Sequence, residues 1–291
     1  MLRPSLLVLL AAGCMHHAIP TDRSVETTTP AAASATSLPR QLRVVELNTH
    51  GVPGNTIADA FRTDPVLKDA DLIILEEAHR VTRADSCSAA CVLGKELGFY
   101  AAYAPGHVQD DGTDGVAVVS RAPILATEVI ELPYINVHIN DGRRIALAAT
   151  LLLDGRPVTV YAVHLENRVT VAERRAQMAP ILAHAARQTT PVIIAGDFNT
   201  SPFTWLAHVI PVPTGTQDDR LEALVRAHGF ATPLAHSGPT SHFLGMKLDA
   251  IYTRGFTTVA YAVDPAHDIS DHLALWAMLE PALPDHAPVT P

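Results

Sequence analysis

The chain has 291 residues, 48% of them hydrophobic and 18% charged, with a formal net charge of -9. That length suits one sizeable α/β domain or two small ones. The acidic balance excludes a protein held to nucleic acid by bulk charge alone, unless a local basic patch or a bound divalent cation offsets it.

The N-terminus carries an address. Met1 to Ser5 holds one positive charge, Leu6 to Leu10 is an apolar run too short to span a bilayer, and Ala11-Ala12-Gly13 precede Cys14. This order reads as a signal peptide over residues 1–13. Cys14 after small residues is similar to a bacterial lipobox, so one expectation is lipidation at Cys14 and attachment to a membrane. Plain cleavage and an ordinary apolar N-terminus are the alternatives. Export would make the protein a periplasmic, outer-membrane or cell-surface lipoprotein, or a secreted protein. Residues 14–40, rich in Thr, Ala, Ser and Pro, are expected to form a disordered tether. Beyond Cys14 the only cysteines are Cys87 and Cys91. In an oxidising compartment a local disulfide is expected, with two free thiols on one helical face as the alternative. No second Cys or His pair stands at zinc spacing.

A domain is expected over residues 41–280. It opens with a strand, Leu42 to Asn48, by alternation and β-branching. Asn55 caps a short helix through Phe61. Asp71 to Glu77 is a buried strand ending on two carboxylates. Asp85 to Leu97 reads as a helix stopped by Gly98. Phe99 to Tyr103 reads as a strand, Gln109 to Gly115 as an acidic solvated turn, and Val116 to Ser120 as a strand. Strands are expected at Ile124 to Leu132 and Tyr134 to Asn140. Asp141-Gly142 and Asp154-Gly155 signal hairpins on either side of a strand at Ile145 to Leu153. Val158 to His164 is a core strand and Val171 to Arg187 an amphipathic helix. The apolar run Pro191 to Ala195 is a buried strand, and Gly196-Asp197-Phe198-Asn199 is the loop at its end. A short helix is expected within Pro202 to Ile210, and another from Asp218 to His228, stopped by Gly229. Strands at Leu248 to Thr253 and Phe256 to Val263 flank a turn at Arg254-Gly255. Leu273 to Leu279 is the last strand, and residues 281–291 form a proline-rich tail. Hairpins with interspersed helices point to two stacked sheets under outer helices.

The polar residues of this pattern collect at strand ends: Asn48, Glu77, His164, Asp197 with Asn199, Asp249, and Asp271 with His272. One pocket at one edge of a sandwich would gather them. Carboxylates that close repel one another, and a hard divalent cation relieves this. Oxygen ligands from Asn48, Glu77 and Asp271 suit Mg2+, Mn2+ or Ca2+ better than zinc.

These pieces, in this order, resemble the endonuclease/exonuclease/phosphatase family, the DNase I-like metal-dependent phosphoesterases. Leu42 to Asn48 resembles its opening strand, Asp71 to Glu77 its Leu-Gln-Glu segment, and Gly115 to Ile124 its Ser-Arg-x-Pro strand. Val160 to Leu165 resembles its His-Leu strand, and Arg174 with Gln177 its Arg-x-x-Gln helix. Gly196 to Asn199, Leu248-Asp249 and Ser270-Asp271-His272 match its Gly-Asp-x-Asn, Leu-Asp and Ser-Asp-His motifs. The resemblance implies a four-layered α/β sandwich. It further implies Glu77 as main metal ligand, assisted by Asn48 and Asp271. Asp197 would orient or deprotonate the attacking water, with Asn199 holding that water or a phosphate oxygen. His272, oriented by Asp249, would contact the phosphate or act as base. His164 would stabilise the phosphorane or protonate the leaving oxygen. The base is left open between Asp197 and His272.

Glu76 stands where the family often has Gln, as either a hydrogen-bonding neighbour of the site or a surface charge. His50 reads as a plain loop histidine. Val116 replaces the Asn that often follows the family's glycine, which puts substrate handling at that point in doubt. The expected activity is Mg2+-dependent hydrolysis of a phosphate ester by a monomer. Nucleic acid, phospholipid and small-molecule substrates all stay open, and the acidic balance favours a small or lipid headgroup over duplex DNA. The alternative is a non-catalytic surface-binding lipoprotein. Its mark would be loss of Glu77, Asp197 or His272, and none is lost.

Overall fold

The computed structural model describes residues 17–32, 35–82, 87–138, 141–215, 217–265 and 269–282. The signal-peptide reading, Cys14 and the tail from residue 283 lie outside them. Strands run β1 (Glu26–Thr28), β2 (Leu42–Asn48), β3 (Leu72–Val81), β4 (Tyr100–Gln109), β5 (Gly112–Ser120), β6 (Ala126–Glu131), β7 (Ile145–Leu153), β8 (Arg156–His164), β9 (Val192–Asp197), β10 (Phe203–Leu206), β11 (Ile210–Pro213), β12 (Asp249–Arg254), β13 (Phe256–Asp264) and β14 (Ala274–Pro281). The helices are α1 (Gly54–Thr63), α2 (Ala89–Leu97), α3 (Val171–Ala186) and α4 (Gln217–Ala227).

Two sheets form the body, a seven-stranded one ordered β1-β4-β5-β3-β2-β14-β13 and a five-stranded one ordered β12-β9-β8-β7-β6. The strand period of two divides each sheet between two cores. Val44, Ile74 and Val118 meet Leu147, Val160 and Ile193 between the sheets. The alternate residues Val45, Leu47 and Ile73 face outward and pack with Ile57, Phe61 and Leu93 of α1 and α2. On the other side, Tyr161, Val163 and Ile194 pack with Met178, Ile181 and Leu221 of α3 and α4. Helices over both outer faces of stacked sheets make the four-layered α/β sandwich.

Two strand pairs, β2 with β3 and β8 with β9, are parallel. Their C-terminal ends therefore lie at one end of the sandwich. The antiparallel neighbours β12 and β14 begin at that same end, since Asp249 pairs with Asp197 and Leu275 with Glu46. This arrangement collects residues that are distant in sequence.

Several expectations are corrected. The solvated acidic turn expected over residues 109–115 is confined to Asp110-Asp111, which are exposed. Gln109 pairs with Gly112 around Asp110-Asp111, and the remainder is a buried strand. The stretch from Tyr134 carries no strand among the described residues. β7 pairs with β6, so Asp141-Gly142 closes no hairpin there. Pro202 to Ile210 is not helical, because β10 and β11 form a two-stranded hairpin rich in Val, Ile and Pro. The helix expected from Asp85 begins at Ala89, where Ser88 Oγ caps the Cys91 N–H at 3.1 Å. Part of the stretch expected to be a tether is packed. β1 pairs with β4, and Leu38 is buried and bridged to Leu153. Cys87 and Cys91 are joined as a disulfide.

Candidate active site

The loop Gly196-Asp197-Phe198-Asn199 forms the floor of the site. Gly196 has φ +146°, and a Cβ there would lie 1.9 Å from the Val163 carbonyl oxygen, so only glycine allows β9 this close to β8. Asn199, at φ +51°, donates its backbone N–H to Asp197 Oδ1 at 2.7 Å and its side-chain N–H to the Leu165 carbonyl at 3.0 Å. Beneath the loop, buried Arg174 donates to the Phe198 carbonyl at 2.5 Å and the Glu166 carbonyl at 3.0 Å. Gln177 Oε1 accepts the Glu166 N–H at 2.9 Å. The helix motif thus acts as a brace for the loop.

Asn48 ends β2 fully buried and presents its amide N–H group to two carboxylates. Nδ2 is 3.0 Å from Asp197 Oδ2 and 3.2 Å from Glu77 Oε1. Its oxygen accepts the His50 N–H at 3.0 Å. In this geometry Asn48 organises the carboxylates and turns its oxygen away from them. Glu77 sits in a bulge of β3, where the register against β5 shifts between Leu75 and Ala78, at φ +50°. The extra residue sends the Glu77 side chain into the site. Asp249 opens β12, and both its oxygens approach His272 Nδ1, at 3.0 and 2.9 Å. Oδ2 also accepts from Thr240 Oγ1 at 2.6 Å. His272 Nε2 lies 4.0 Å from Asp197 Oδ2, and His164 Nε2 lies 3.6 Å from it. Asp271 is the more open member, at the rim.

Charge states follow from this packing. Burial, reinforced by Asp249, raises the Asp197 carboxyl to about 7. Burial alone would push His272 down, but the field and hydrogen bond of Asp249 raise it to about 10, so it is an imidazolium at neutral pH. Burial and the Arg144 guanidinium hold His164 well below its ordinary value, so it is neutral. Burial would raise Glu77, but the hydrogen bonds of His50 and Asn48 and the Arg144 charge outweigh it and hold the carboxyl well below the usual range. An ionised carboxylate facing the cavity beside a second carboxylate, Asp271, offers oxygen ligands to a cation. The donor set of Glu77 with Asp271 at the open rim fits a hard divalent cation. The ligand atoms of Glu77, His164 and Asp197, and those of Asp197, Asp249 and His272, form two further groups, each within 4.8 Å.

Some contributors carry no sequence signal of their own. His50, read as a plain loop histidine, places Nδ1 3.4 Å from Glu77 Oε2 and 3.6 Å from Asp271 Oδ1. Buried Arg144 forks onto Glu166 at 3.0 and 3.2 Å and lays Nη1 over the His164 ring, at 3.1 and 3.2 Å from its nitrogens. Asp114, expected on a solvated turn, holds His79 Nδ1 at 2.7 Å. Glu76 is fully buried and is not a surface charge. A cavity of about 490 Å³ opens above the constellation, with Arg144, Arg168, Trp205, Phe243 and Met246 in its walls.

A four-layered sandwich carrying carboxylates, a charged Asp–His pair and cationic walls at one end defines a hydrolase of phosphate esters. The model of the Endonuclease/Exonuclease/phosphatase family matches residues 45–272, and the chain belongs to that family. Among solved structures it is similar to an endonuclease/exonuclease/phosphatase from Beutenbergia cavernae, at 21% identity and TM-score 0.67, covering 84% of this chain and 72% of that one. It is similar to the human Nocturnin catalytic domain with bound sulfate anion, at 18% identity and TM-score 0.59, covering 89% and 98%. It is also similar to D. rerio TDP2 complexed with single-strand DNA product, at 17% identity and TM-score 0.57, covering 82% and 99%. A comparison with curated protein sequences finds no match.

Proposed function

We propose that the protein hydrolyses a phosphodiester or phosphomonoester in a Mg2+-dependent reaction, by in-line attack of a water activated at Asp197. The observation that carries this is the convergence of Glu77, His164, Asp197 and His272 on one cavity, with Asn48 and Asp249 hydrogen-bonded to them from beneath its lining. Glu77 and Asp271 would hold the cation, which screens the substrate phosphate from the carboxylates and neutralises charge as the transition state forms. Asp197 is the base. Its raised carboxyl, set by Asn48 and the Asn199 N–H, can take a proton from water near neutral pH. His272 holds its proton and is therefore a donor to a phosphate oxygen, aimed by Asp249. His164, kept neutral, donates to a second oxygen, and Arg144 adds fixed positive charge behind it. The sulfate anion bound to Nocturnin and the single-strand DNA product bound to TDP2, two proteins of similar fold, support a phosphate-bearing ligand. Attachment or export through the N-terminal segment belongs to the same proposal.

The test is turnover of bis-p-nitrophenyl phosphate, p-nitrophenyl phosphate, plasmid DNA and sphingomyelin, with Mg2+ and with EDTA. At least one substrate should be cleaved, and EDTA should abolish the cleavage. No cleavage of any of them in Mg2+ would favour the non-catalytic binding protein instead.

A further inference from the structure

The active-site cavity has unlike walls. The β10–β11 hairpin and the loop before β12 line it with Trp205, Phe243 and Met246. β4 and β5 of the seven-stranded sheet line it with His107, Gln109 and Asp114. None of these last three has a part in the water activation or the phosphate contacts described above. The register of β4 against β5 shifts between Pro105 and His107, so Gly106 has no partner and His107 pairs with Asp114. A Cβ on Gly142 would lie 2.7 Å from the His107 ring, and the His17 ring stands 4.8 Å away. The imidazole is thus packed by the loop before β7 and by the N-terminal segment.

His107 is only 8% exposed. Burial and the Arg144 charge push it down to about 3, so the ring is neutral. One ring N–H donates to the Arg143 backbone, which leaves the other nitrogen a lone pair and no proton. Asp114 is as deeply buried; its Oδ1 meets His79 Nδ1 at 2.7 Å, and no described residue donates to Oδ2. The wall therefore presents two acceptors, beside a Gln109 carboxamide that can accept or donate. Buried acceptors at a cavity need donors. A metal ion does not fit, because among the described residues neither His107 nor Asp114 belongs to a group of ligand atoms close enough to share one. A phosphate oxygen does not fit either, since a carboxylate repels it and a lone pair cannot donate to it. Hydroxyl groups fit: each donates one hydrogen bond to such an acceptor and can accept one from Gln109.

We propose that His107 and Asp114 read hydroxyl groups on the β4–β5 wall, so that the substrate is a phosphate ester of a sugar or polyol. The phosphate end of this rests on the phosphoester-hydrolase reading. The hydroxyl end rests on the wall alone. Hydroxyls donate to the His107 lone pair and to Asp114 Oδ2 while the phosphate lies at His272 and His164.

The experiment is isothermal titration calorimetry in Mg2+ on the full chain carrying Asp197→Asn, which leaves each ester intact. Glucose 6-phosphate is compared with cyclohexylmethyl phosphate, a ring of the same size without hydroxyls, and with phosphoethanolamine, whose donor is a cation. Glucose 6-phosphate should bind about tenfold more tightly than cyclohexylmethyl phosphate, the worth of one or two net hydrogen bonds. Adding His107→Leu should remove that preference and leave the binding of cyclohexylmethyl phosphate unchanged, with folding checked by the melting temperature. The isosteric Asp114→Asn, which turns an acceptor toward donation, should also reduce the preference and does not disturb the packing of the imidazole. Equal binding of the two rings overturns the proposal. So does tighter binding of phosphoethanolamine than of glucose 6-phosphate, or a preference that survives both substitutions. If no ester binds, the proposal and the phosphoester-hydrolase reading fall together. Selective binding of glucose 6-phosphate, with no turnover of any phosphoester by the parent chain, would refute the hydrolase reading alone.

Discussion

Replacing Glu76 by glutamine should stabilise the protein, and the gain should grow with pH. Glu46 and Glu76 lie fully buried on the inner faces of β2 and β3, where the two carboxyls hydrogen-bond each other and no N–H or hydroxyl group donates to their oxygens. Burial raises both carboxyls well above their ordinary value of 4.5, and the nearby Asp249 adds to it. Such a group keeps its proton in the folded chain and loses it in the unfolded one. Its contribution is therefore fully present below pH 4.5 and is lost as pH rises toward the folded value. The loss is about 1.4 kcal/mol per pH unit for each group. The side-chain amide of Glu76→Gln does not titrate and can donate to Glu46. Across two pH units the variant should gain up to about 3 kcal/mol relative to the parent, the gain ending where the folded carboxyl ionises. Guanidinium unfolding at pH 5.5, 6.5 and 7.5 in EDTA measures this. A constant difference at all three values, or a less stable variant at pH 7.5, would refute the reasoning.

Three further outcomes are expected. The kcat–pH profile should rise as Asp197 ionises near 7 and fall as His272 deprotonates near 10, and Asp249→Asn should move both limbs to lower pH because Asp249 raises both groups; an unmoved alkaline limb would contradict this. Gly196→Ala forces a Cβ onto the Val163 carbonyl at a positive φ, and should cost about 3 kcal/mol or more, or roughly 10 °C in a thermal melt. Removing the Cys87–Cys91 disulfide by a double Ala substitution closes off no part of the site, and should lower stability by about 2 kcal/mol while turnover is unchanged.

The site was more legible in the sequence than the fold around it. Asn48, Glu77, His164 and Asp197 stand at the ends of apolar runs, and parallel pairing carries those ends to one place. Asp249 and His272 stand at the starts of antiparallel neighbours, which reach the same end from the other direction. Arg144 and His50 were not legible, because their roles depend on loops brought together by sheet packing and no local pattern marks them. The misread segments share a cause. Gly112 and Gly115 read as turn residues, but each sits in β5, where a Cβ would lie 2.0 Å from a carbonyl oxygen of the neighbouring strand. They are there for close approach. Likewise Glu26–Thr28 has the composition of a tether, and only the open edge of β4 gives it a partner.

The most direct test of the account is the turnover of Asp197→Asn on a cleaved phosphodiester in Mg2+, with folding checked by circular dichroism. Loss of the base at an otherwise unchanged site should lower kcat by about a hundredfold or more, with little change in KM. A folded Asp197→Asn protein that turns over at the parent rate would contradict the central claim.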